Sequence, residues 1–220
     1  MLVCVGLAPT TQPAYITPDQ FDFHALLSDP PRDDSPAHLV EVDTMLVLQR
    51  KRTPEDEARC KSEEEVTVFA FATVLGPWFN PDELPQTREL MNQVYNQARA
   101  VSGAAKDQWV RKRPPLADKR IVPCVQLEKT NSYPSGHATR GIVWATVLSE
   151  MFPEHRAELM ARGRQIGEDR FLAGMHYPSD VVAGQVLGAE IAKRLLSNDA
   201  FKAALEKAKD ECLADAKAGH

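Results

Sequence analysis

The segment from Ser179 to Leu196 reads SDVVAGQVLGAEIAKRLL, and its pattern decides which fold to expect. Its apolar residues recur at helical spacing, which predicts an α-helix with a wide buried face. Gly184 and Gly188 lie one helical turn apart within this pattern, and small residues at that spacing favour the close approach of a neighbouring helix. We therefore expect a central helix in this segment.

Helical patterns continue on both sides of this central segment. Helix-spaced apolar residues begin at Ala37 and recur over 66–74, and further helices are predicted over 84–102, 104–113, 137–151, 155–172 and 199–218. Prolines lie between most of these stretches, where they start or stop a helix without losing an interior hydrogen bond. Strand-like alternation is scarce, so the sequence predicts an all-α, single-domain helical bundle.

The first 36 residues have a different pattern. Six prolines stand among Thr, Asp and Ser and break both helical and strand periodicity. We predict an irregular Pro-rich N-terminal arm over residues 1–36 and a helical domain over residues 37–220. The start, residues 1–8, is apolar but has no basic segment before it, so it does not establish a signal peptide.

Composition limits the function classes. The 220 residues are 43% hydrophobic and 26% charged, as expected for one globular domain. A net charge of −5 argues against a nucleic-acid partner, so any anion site must be built locally. Charges or prolines interrupt every apolar run before the roughly 18 residues that a membrane helix needs. We expect a soluble protein without a membrane partner.

Cysteine spacing argues against a zinc site. Cys4, Cys60, Cys124 and Cys212 are far apart and form no CxxC or Cys/His pattern. Their even number permits disulfides if the protein is exported, and four unpaired thiols fit equally well. The pairing stays open.

Two basic residues form the first candidate site. Lys106 and Arg113 are seven residues apart, so on the helix predicted over 104–113 they stand on nearly the same face and could hold one anion together. The alternative is a solvated basic face, because four more basic residues are close in sequence: Arg111, Lys112, Lys119 and Arg120.

The second candidate is the run Pro-Ser-Gly-His at positions 134–137. Pro and Gly precede the helix predicted over 137–151, which places Ser135, Gly136 and His137 at an N-terminus with unpaired N–H groups that attract phosphate. Ser135 is also a natural N-cap, and an ordinary Ser-Gly helix start is the simpler interpretation. His137 adds chemistry, since an imidazole beside a phosphate can protonate a departing alkoxide.

The third candidate joins Arg170, His176 and Asp180. Gly174 and Pro178 predict a chain break between Arg170 and the next helix, with His176 just before that helix and Asp180 in its first turn. A carboxylate accepting the Nδ1–H of His176 would leave Nε2 free to attack phosphorus. Alternatively, Asp180 caps its helix and His176 packs in the core.

Together, the three segments supply three cations, two helix N-termini, two histidines and a carboxylate, a complete set for phosphoryl transfer. In order they read Lys-x6-Arg-Pro, Pro-Ser-Gly-His and Arg-x5-His-x3-Asp. In these motifs the sequence resembles the class A bacterial nonspecific acid phosphatases, within the type 2 phosphatidic acid phosphatase and vanadium haloperoxidase superfamily.

The resemblance implies a role for each motif residue. His176 would attack phosphorus, Asp180 would orient it, and His137 would protonate the leaving group and then activate water. Neither a metal nor another cofactor is implied, because fixed cations stabilise the phosphoryl oxygens. The implied phosphate-binding residues are Lys106, Arg113, Ser135, Gly136 and Arg170.

The resemblance also implies a substrate class, inhibitors, a cellular location and an oligomeric state. The expected activity is hydrolysis of small phosphate monoesters of broad specificity, with some phosphotransferase activity and with inorganic phosphate or vanadate as inhibitor. The expected setting is a periplasmic or secreted homo-oligomer. One position departs from the superfamily pattern, because Asp169 stands where a serine often precedes the third-motif arginine. We expect Asp169 to pair with Arg170 or Arg113, or to face solvent.

Three alternatives share these residues. A vanadium-dependent haloperoxidase would bind vanadate on His176, but such chains are usually much longer. A membrane lipid phosphatase would carry the motifs on spanning helices, which this sequence does not predict. A non-catalytic phosphate-binding module needs the cations and helix ends alone, so the presence of both His137 and His176 favours an enzyme.

Overall fold

The computed structural model describes residues 14–218, in which all regular secondary structure is helical. This confirms the all-α prediction. Cys4 and the apolar start lie outside the described residues. None of the described helices has both the length and the apolar character needed to cross a bilayer. The α-helices are α1 (Phe23–Leu26), α2 (Pro36–Lys51), α3 (Pro54–Ser62), α4 (Ala72–Leu75), α5 (Pro85–Lys106), α6 (Pro114–Ala117), α7 (Gly136–Met151), α8 (Arg156–Leu172), α9 (Pro178–Ser197) and α10 (Asp199–Ala218).

Helix α7 occupies the centre of the fold and packs against both α8 and α9. The two glycines of α9 make this packing possible. A Cβ atom on Gly188 would lie 2.5 Å from the carbonyl oxygen of Thr139, and one on Gly184 would overlap the carbonyl of Ser135. The close helix approach predicted from this glycine pair is therefore confirmed. It also holds the N-terminus of α7 against α9, where the motif residues lie.

The end of helix α5 differs from the prediction. One helix runs to Lys106 and then stops, so the helix predicted over 104–113 is wrong, and Lys106 and Arg113 do not share a helical face. Arg113 precedes Pro114 and has extended backbone angles, φ −67° and ψ 150°. The proline ring disfavours helical geometry in the preceding residue, which explains why the chain is extended here. The two cations meet through a turn instead.

The described part of the N-terminal arm packs onto the bundle. Residues 14–35 contain a short 3-10 turn at Pro18–Gln20 and the single-turn helix α1, separated by irregular backbone. Four apolar side chains fix this segment, because they are buried in the same core as the long helices. They are Ile16, Phe21, Phe23 and Leu27.

The three described cysteines form no disulfide among residues 14–218. Cys60 of α3 is buried in a small cluster with Val125, Ala173 and Met175, and Cys124 packs against that cluster. Cys212 lies in the main core, where burial raises the pKa of its thiol to about 11. Only the pairing of Cys4, which lies outside the described residues, stays open.

Candidate active site

The three predicted motifs meet where the N-termini of α7 and α9 come together. The backbone N–H of Ser135 donates to the carbonyl oxygen of Asp180 at 2.9 Å, which joins the two helix starts directly. Helix α8 ends nearby at Leu172, and Gly174 turns the chain at a φ of +81°, a conformation that favours glycine. This turn brings His176 to the start of α9, as the sequence predicted.

His176 is buried and held at both ring nitrogens. Its Nδ1 lies 3.3 Å from Oδ2 of Asp180, and its Nε2 lies 3.0 Å from Nη1 of Arg113. Because a guanidinium group can only donate, Nε2 must carry the lone pair and Nδ1 the proton. This is the tautomer that a nucleophilic imidazole requires. Burial, followed by the charges of Arg113 and Lys106, holds the pKa of His176 well below its ordinary value.

Asp180 has two roles that the sequence analysis treated as alternatives. Its Oδ2 accepts from the backbone N–H of Tyr177 at 2.9 Å, which caps helix α9, and it also faces His176. Ser132 donates its hydroxyl to the same oxygen at 2.6 Å, and Arg111 donates to Oδ1 at 2.6 Å. Four partners therefore fix this carboxylate in one position beside the imidazole.

Arg111 is a site residue that sequence reasoning placed on a solvated face. It is only 5% exposed, and its Nη2 lies 2.8 Å from Oε2 of Glu41 on α2. Its guanidinium also covers the ring of Tyr177 at 4.0 Å from the centroid. Burial alone would lower the pKa of Arg111, but Asp180 and Glu41 raise it above its ordinary value.

Arg113 and Arg170 are bridged by a carboxylate that the sequence analysis did not identify. Glu128 accepts from Nη2 of Arg113 at 2.6 Å and from Nη2 of Arg170 at 3.0 Å, one oxygen to each arginine. Both guanidinium groups are buried, whereas the Glu128 side chain is 38% exposed. Within residues 14–218, Nε and Nη1 of Arg170 have no hydrogen-bond partner. Arg113 and Arg170 therefore form a cradle that can hold an anion with two or more oxygens.

Lys106 reaches the same place from the end of α5. Its Nζ donates to the main-chain carbonyl oxygens of Asn131 at 2.6 Å and Ser132 at 3.3 Å. Burial, and then the charge of Arg113, lower the pKa of Lys106 to about 7. The structure thus brings the three predicted cations together, although by a different route from the one predicted for Lys106 and Arg113.

His137 lies at the N-terminus of α7, after its N-cap Ser135. Its Nε2 is 3.2 Å from the main-chain carbonyl oxygens of both Glu63 and Glu64, and its Nδ1 is 2.8 Å from Nη2 of Arg140. The proton therefore resides on Nε2, and Nδ1 accepts. With Nδ1 accepting from Arg140, the ring is neutral in this arrangement, and burial and then Arg140 hold the pKa of His137 well below its ordinary value.

Asp169 does not have the role expected for it. Its carboxylate receives two hydrogen bonds from Arg59 of α3, at 2.8 Å from Nε and 2.9 Å from Nη2, and it is buried. The expectation that it pairs with Arg170 or Arg113, or faces solvent, is therefore wrong. Successive helical residues point about 100° apart, so Asp169 turns toward α3 while Arg170 faces the site. Asp169 joins α8 to α3.

A cavity of about 630 Å³ opens beside His137 and Arg170, whereas Arg113 and His176 are buried and do not line it. Its lining includes Lys106, Gly136, His137 and Arg170, together with Tyr95 and Arg140. This volume falls in the range of sites that take a small molecule. Among the described residues, no three His, Cys, Asp or Glu side chains are grouped so as to hold a metal ion.

Comparison with known proteins identifies the family. Residues 94–200 match the PAP2 superfamily. The non-specific acid phosphatase of Salmonella typhimurium is 30% identical over 213 residues, which cover 93% of this chain and 85% of the relative. That of Providencia stuartii is 33% identical over 148 residues, which cover 64% and 59%. The chain therefore belongs to the bacterial non-specific acid phosphatases of the PAP2 superfamily, which confirms the resemblance read from its motifs.

A solved structure shares the fold. The transmembrane PAP2 type phosphatidylglycerolphosphate phosphatase of Bacillus subtilis aligns with a TM-score of 0.53 and 19% sequence identity. The alignment covers 80% of this chain and 89% of that protein. At this identity the comparison supports the helical architecture alone.

Proposed function

We propose that this protein hydrolyses small phosphate monoesters of broad specificity through a phosphohistidine on His176, without a metal ion. The observation that supports this most strongly is the environment of His176. Its Nε2 lone pair points at Arg113, its Nδ1–H faces Asp180, and Arg170 completes a cradle beside it. A nucleophile, its orienting carboxylate and an anion site therefore occupy one place.

In the first step, the phosphate group replaces the Glu128 carboxylate between Arg113 and Arg170. His176 attacks through Nε2, the new P–N bond forms, and the P–O bond to the alcohol breaks with its electron pair on oxygen. Protonated His137 gives a proton to that oxygen. Asp180 stabilises the positive charge that develops on the His176 ring.

In the second step, neutral His137 takes a proton from water, which attacks phosphorus as the P–N bond breaks. Inorganic phosphate leaves and His176 returns to its neutral form. An alcohol can take the place of water, so the same intermediate supports phosphotransferase activity. The fixed charges of Lys106, Arg113 and Arg170 stabilise the equatorial oxygens in both steps, which is the task that a metal ion performs in other phosphatases.

The pKa shifts support activity at acidic pH. The low pKa of His176 keeps its nucleophilic form available in acid. The low pKa of His137 means that its proton is lost as the pH rises, so the rate falls on the alkaline side. A bound phosphate dianion opposes this lowering, because it adds negative charge close to the ring. The expected pH-rate profile is a bell on the acidic side.

The remaining proposals follow from the same site and family. Inorganic phosphate and vanadate should inhibit competitively, since both present oxygens to the Arg113–Arg170 cradle. The resemblance to class A acid phosphatases supports a periplasmic or secreted location and a homo-oligomer. Cell fractionation and sedimentation of the purified protein measure these two properties directly.

The first experiment is hydrolysis of p-nitrophenyl phosphate across pH 4 to 9 in EDTA, with wild type, His176→Ala and the control His155→Ala, which changes a histidine outside the cavity. We expect wild type and control to be active in acid and His176→Ala to be inactive. Quenching in alkali, in which a phosphohistidine is stable, with phosphate-labelled substrate should trap label on wild type and on His155→Ala but not on His176→Ala. Activity in His176→Ala would contradict the phosphohistidine, loss in EDTA would contradict metal independence, and an inactive wild type would reject the function.

A further inference from the structure

The cavity continues past the phosphate cradle along helices α5 and α7. Arg140 lies one turn of α7 beyond His137, and its Nη2 is 2.8 Å from Nδ1 of that ring. Tyr95 of α5 lines the same part of the cavity, with its ring centroid 5.4 Å from the Arg140 guanidinium carbon. A fourth cation therefore stands beside the histidine that serves the leaving group.

The charge of Arg140 is not neutralised by a paired carboxylate. Among the described residues, it forms no salt bridge, and its buried Nε has no hydrogen-bond partner. The Glu128 carboxylate is near enough to influence its charge but is held by Arg113 and Arg170. Burial lowers the pKa of Arg140, and a largely buried cation without a counter-ion is costly. An anion from outside the protein would relieve this cost.

We propose that Arg140 binds an anionic group on the alcohol portion of the substrate. The preferred substrates are then phosphate monoesters whose leaving group carries a second anion, a carboxylate or a further phosphate, two or three bonds from the ester oxygen. This inference rests on the proposed function, in which His137 protonates that oxygen. Because Arg140 contacts the same imidazole, a short leaving group places its second anion within reach of the guanidinium.

Binding of such an anion also changes the state of His137. In the structure, Arg140 donates to Nδ1 of His137, whereas Nε2 faces the main-chain carbonyl oxygens of Glu63 and Glu64. An anion that accepts hydrogen bonds from Arg140 draws this donor away, so Nδ1 can take up a proton from solvent and then donate it to the leaving oxygen. Arg140 thus recognises the anionic leaving group and, by the same movement, allows His137 to act as the general acid.

The test compares two substrates that differ in one anionic group. Glycerate 3-phosphate carries a carboxylate where glycerol 3-phosphate carries a hydroxymethyl group. The value of kcat/KM is measured for both with wild type, Arg140→Met, Arg140→Lys and Arg164→Gln. Arg164 is an exposed arginine of α8 that does not line the cavity, so its variant controls for the loss of one positive charge.

We expect wild type and Arg164→Gln to prefer glycerate 3-phosphate, and Arg140→Met to reduce that preference about tenfold, as for the loss of a charge-assisted hydrogen bond. Arg140→Lys should retain part of the preference. Equal changes on both substrates in Arg140→Met would overturn the inference, since Arg140 would then act on His137 alone. Absence of the preference in active wild type would also overturn it. An inactive wild type would instead reject the proposed function.

Discussion

Arg111 and Arg113 lie two residues apart, both nearly inaccessible to solvent, yet their charges are used in opposite ways. Arg111 is paired with two carboxylates that are themselves buried, those of Glu41 and Asp180, and they raise its pKa. Both terminal nitrogens of Arg111 are occupied by these carboxylates, and Nε, which has no partner among the described residues, is buried. The charge of Arg111 serves to hold one end of α9 and the Asp180 carboxylate in place.

Arg113 instead pairs with the partly exposed carboxylate of Glu128, which can turn away toward solvent. Glu128 is 38% exposed, and the other side-chain partners of Arg113 are the hydroxyl of Thr130 and Nε2 of His176. Burial and then the neighbouring Arg170 lower the pKa of Arg113 more than Glu128 raises it. The comparison indicates that a buried cation is available for binding when its counter-ion is exposed, and is structural when its counter-ions are buried.

The largest effect should come from Arg113→Met. In the proposed mechanism this change removes a donor to the phosphoryl oxygens and the cation beside His176, so we expect kcat/KM for p-nitrophenyl phosphate to fall about 10³-fold. The melting temperature should stay close to that of wild type, because Glu128 can turn to solvent. Arg113→Lys, which keeps one charge without the forked geometry, should recover part of the loss. A loss below tenfold would show that Arg113 is not a binding cation.

Arg111→Met should affect stability more than chemistry. It leaves the carboxylates of Glu41 and Asp180 buried without their cation, so we expect the free energy of unfolding in urea to fall by about 3–5 kcal/mol. Arg120→Met is the control, because Arg120 pairs with Asp118 at the surface, and its loss should leave the unfolding free energy nearly unchanged. Equal effects of the two variants would contradict the structural role of Arg111.

The sequence predicted those features that depend on nearby residues. Apolar periodicity indicated the long helices, and the Gly184 and Gly188 pair indicated the close packing of α9. Gly174 and Pro178 predicted the break that places His176 before the helix, because each restricts the backbone locally. The helix predicted over 104–113 failed because α5 ends at Lys106, and the proline pair at 114–115 explains only the extended backbone of Arg113.

The residues missed from the sequence depend on distant partners. Arg111 is buried because Glu41, 70 residues earlier, meets it across the fold. Glu128 and Arg140 belong to the site only because three helices converge there. The sequence around a charged residue is the same whether its side chain lies on the surface or in such a pocket. Residue spacing alone therefore cannot distinguish a surface residue from a site residue. Asp169 shows the same limit, since its partner Arg59 lies 110 residues away.

The smallest effect, and the most direct test of the comparison, is Glu128→Gln. If Glu128 competes with phosphate for Arg113 and Arg170, removal of its charge should lower the competitive inhibition constant of sulfate, whose own charge does not vary near the working pH. Partly exposed ion pairs contribute little, so we expect a decrease of about threefold to tenfold.

The control is Glu65→Gln, which removes the same charge from the cavity rim, and within the described residues Glu65 forms no ion pair. An equal decrease in both variants would indicate a general electrostatic effect. Weaker sulfate binding in Glu128→Gln would mean that Glu128 orders the cradle instead of occupying it, and that the exposure of a counter-ion does not distinguish binding arginines from structural ones.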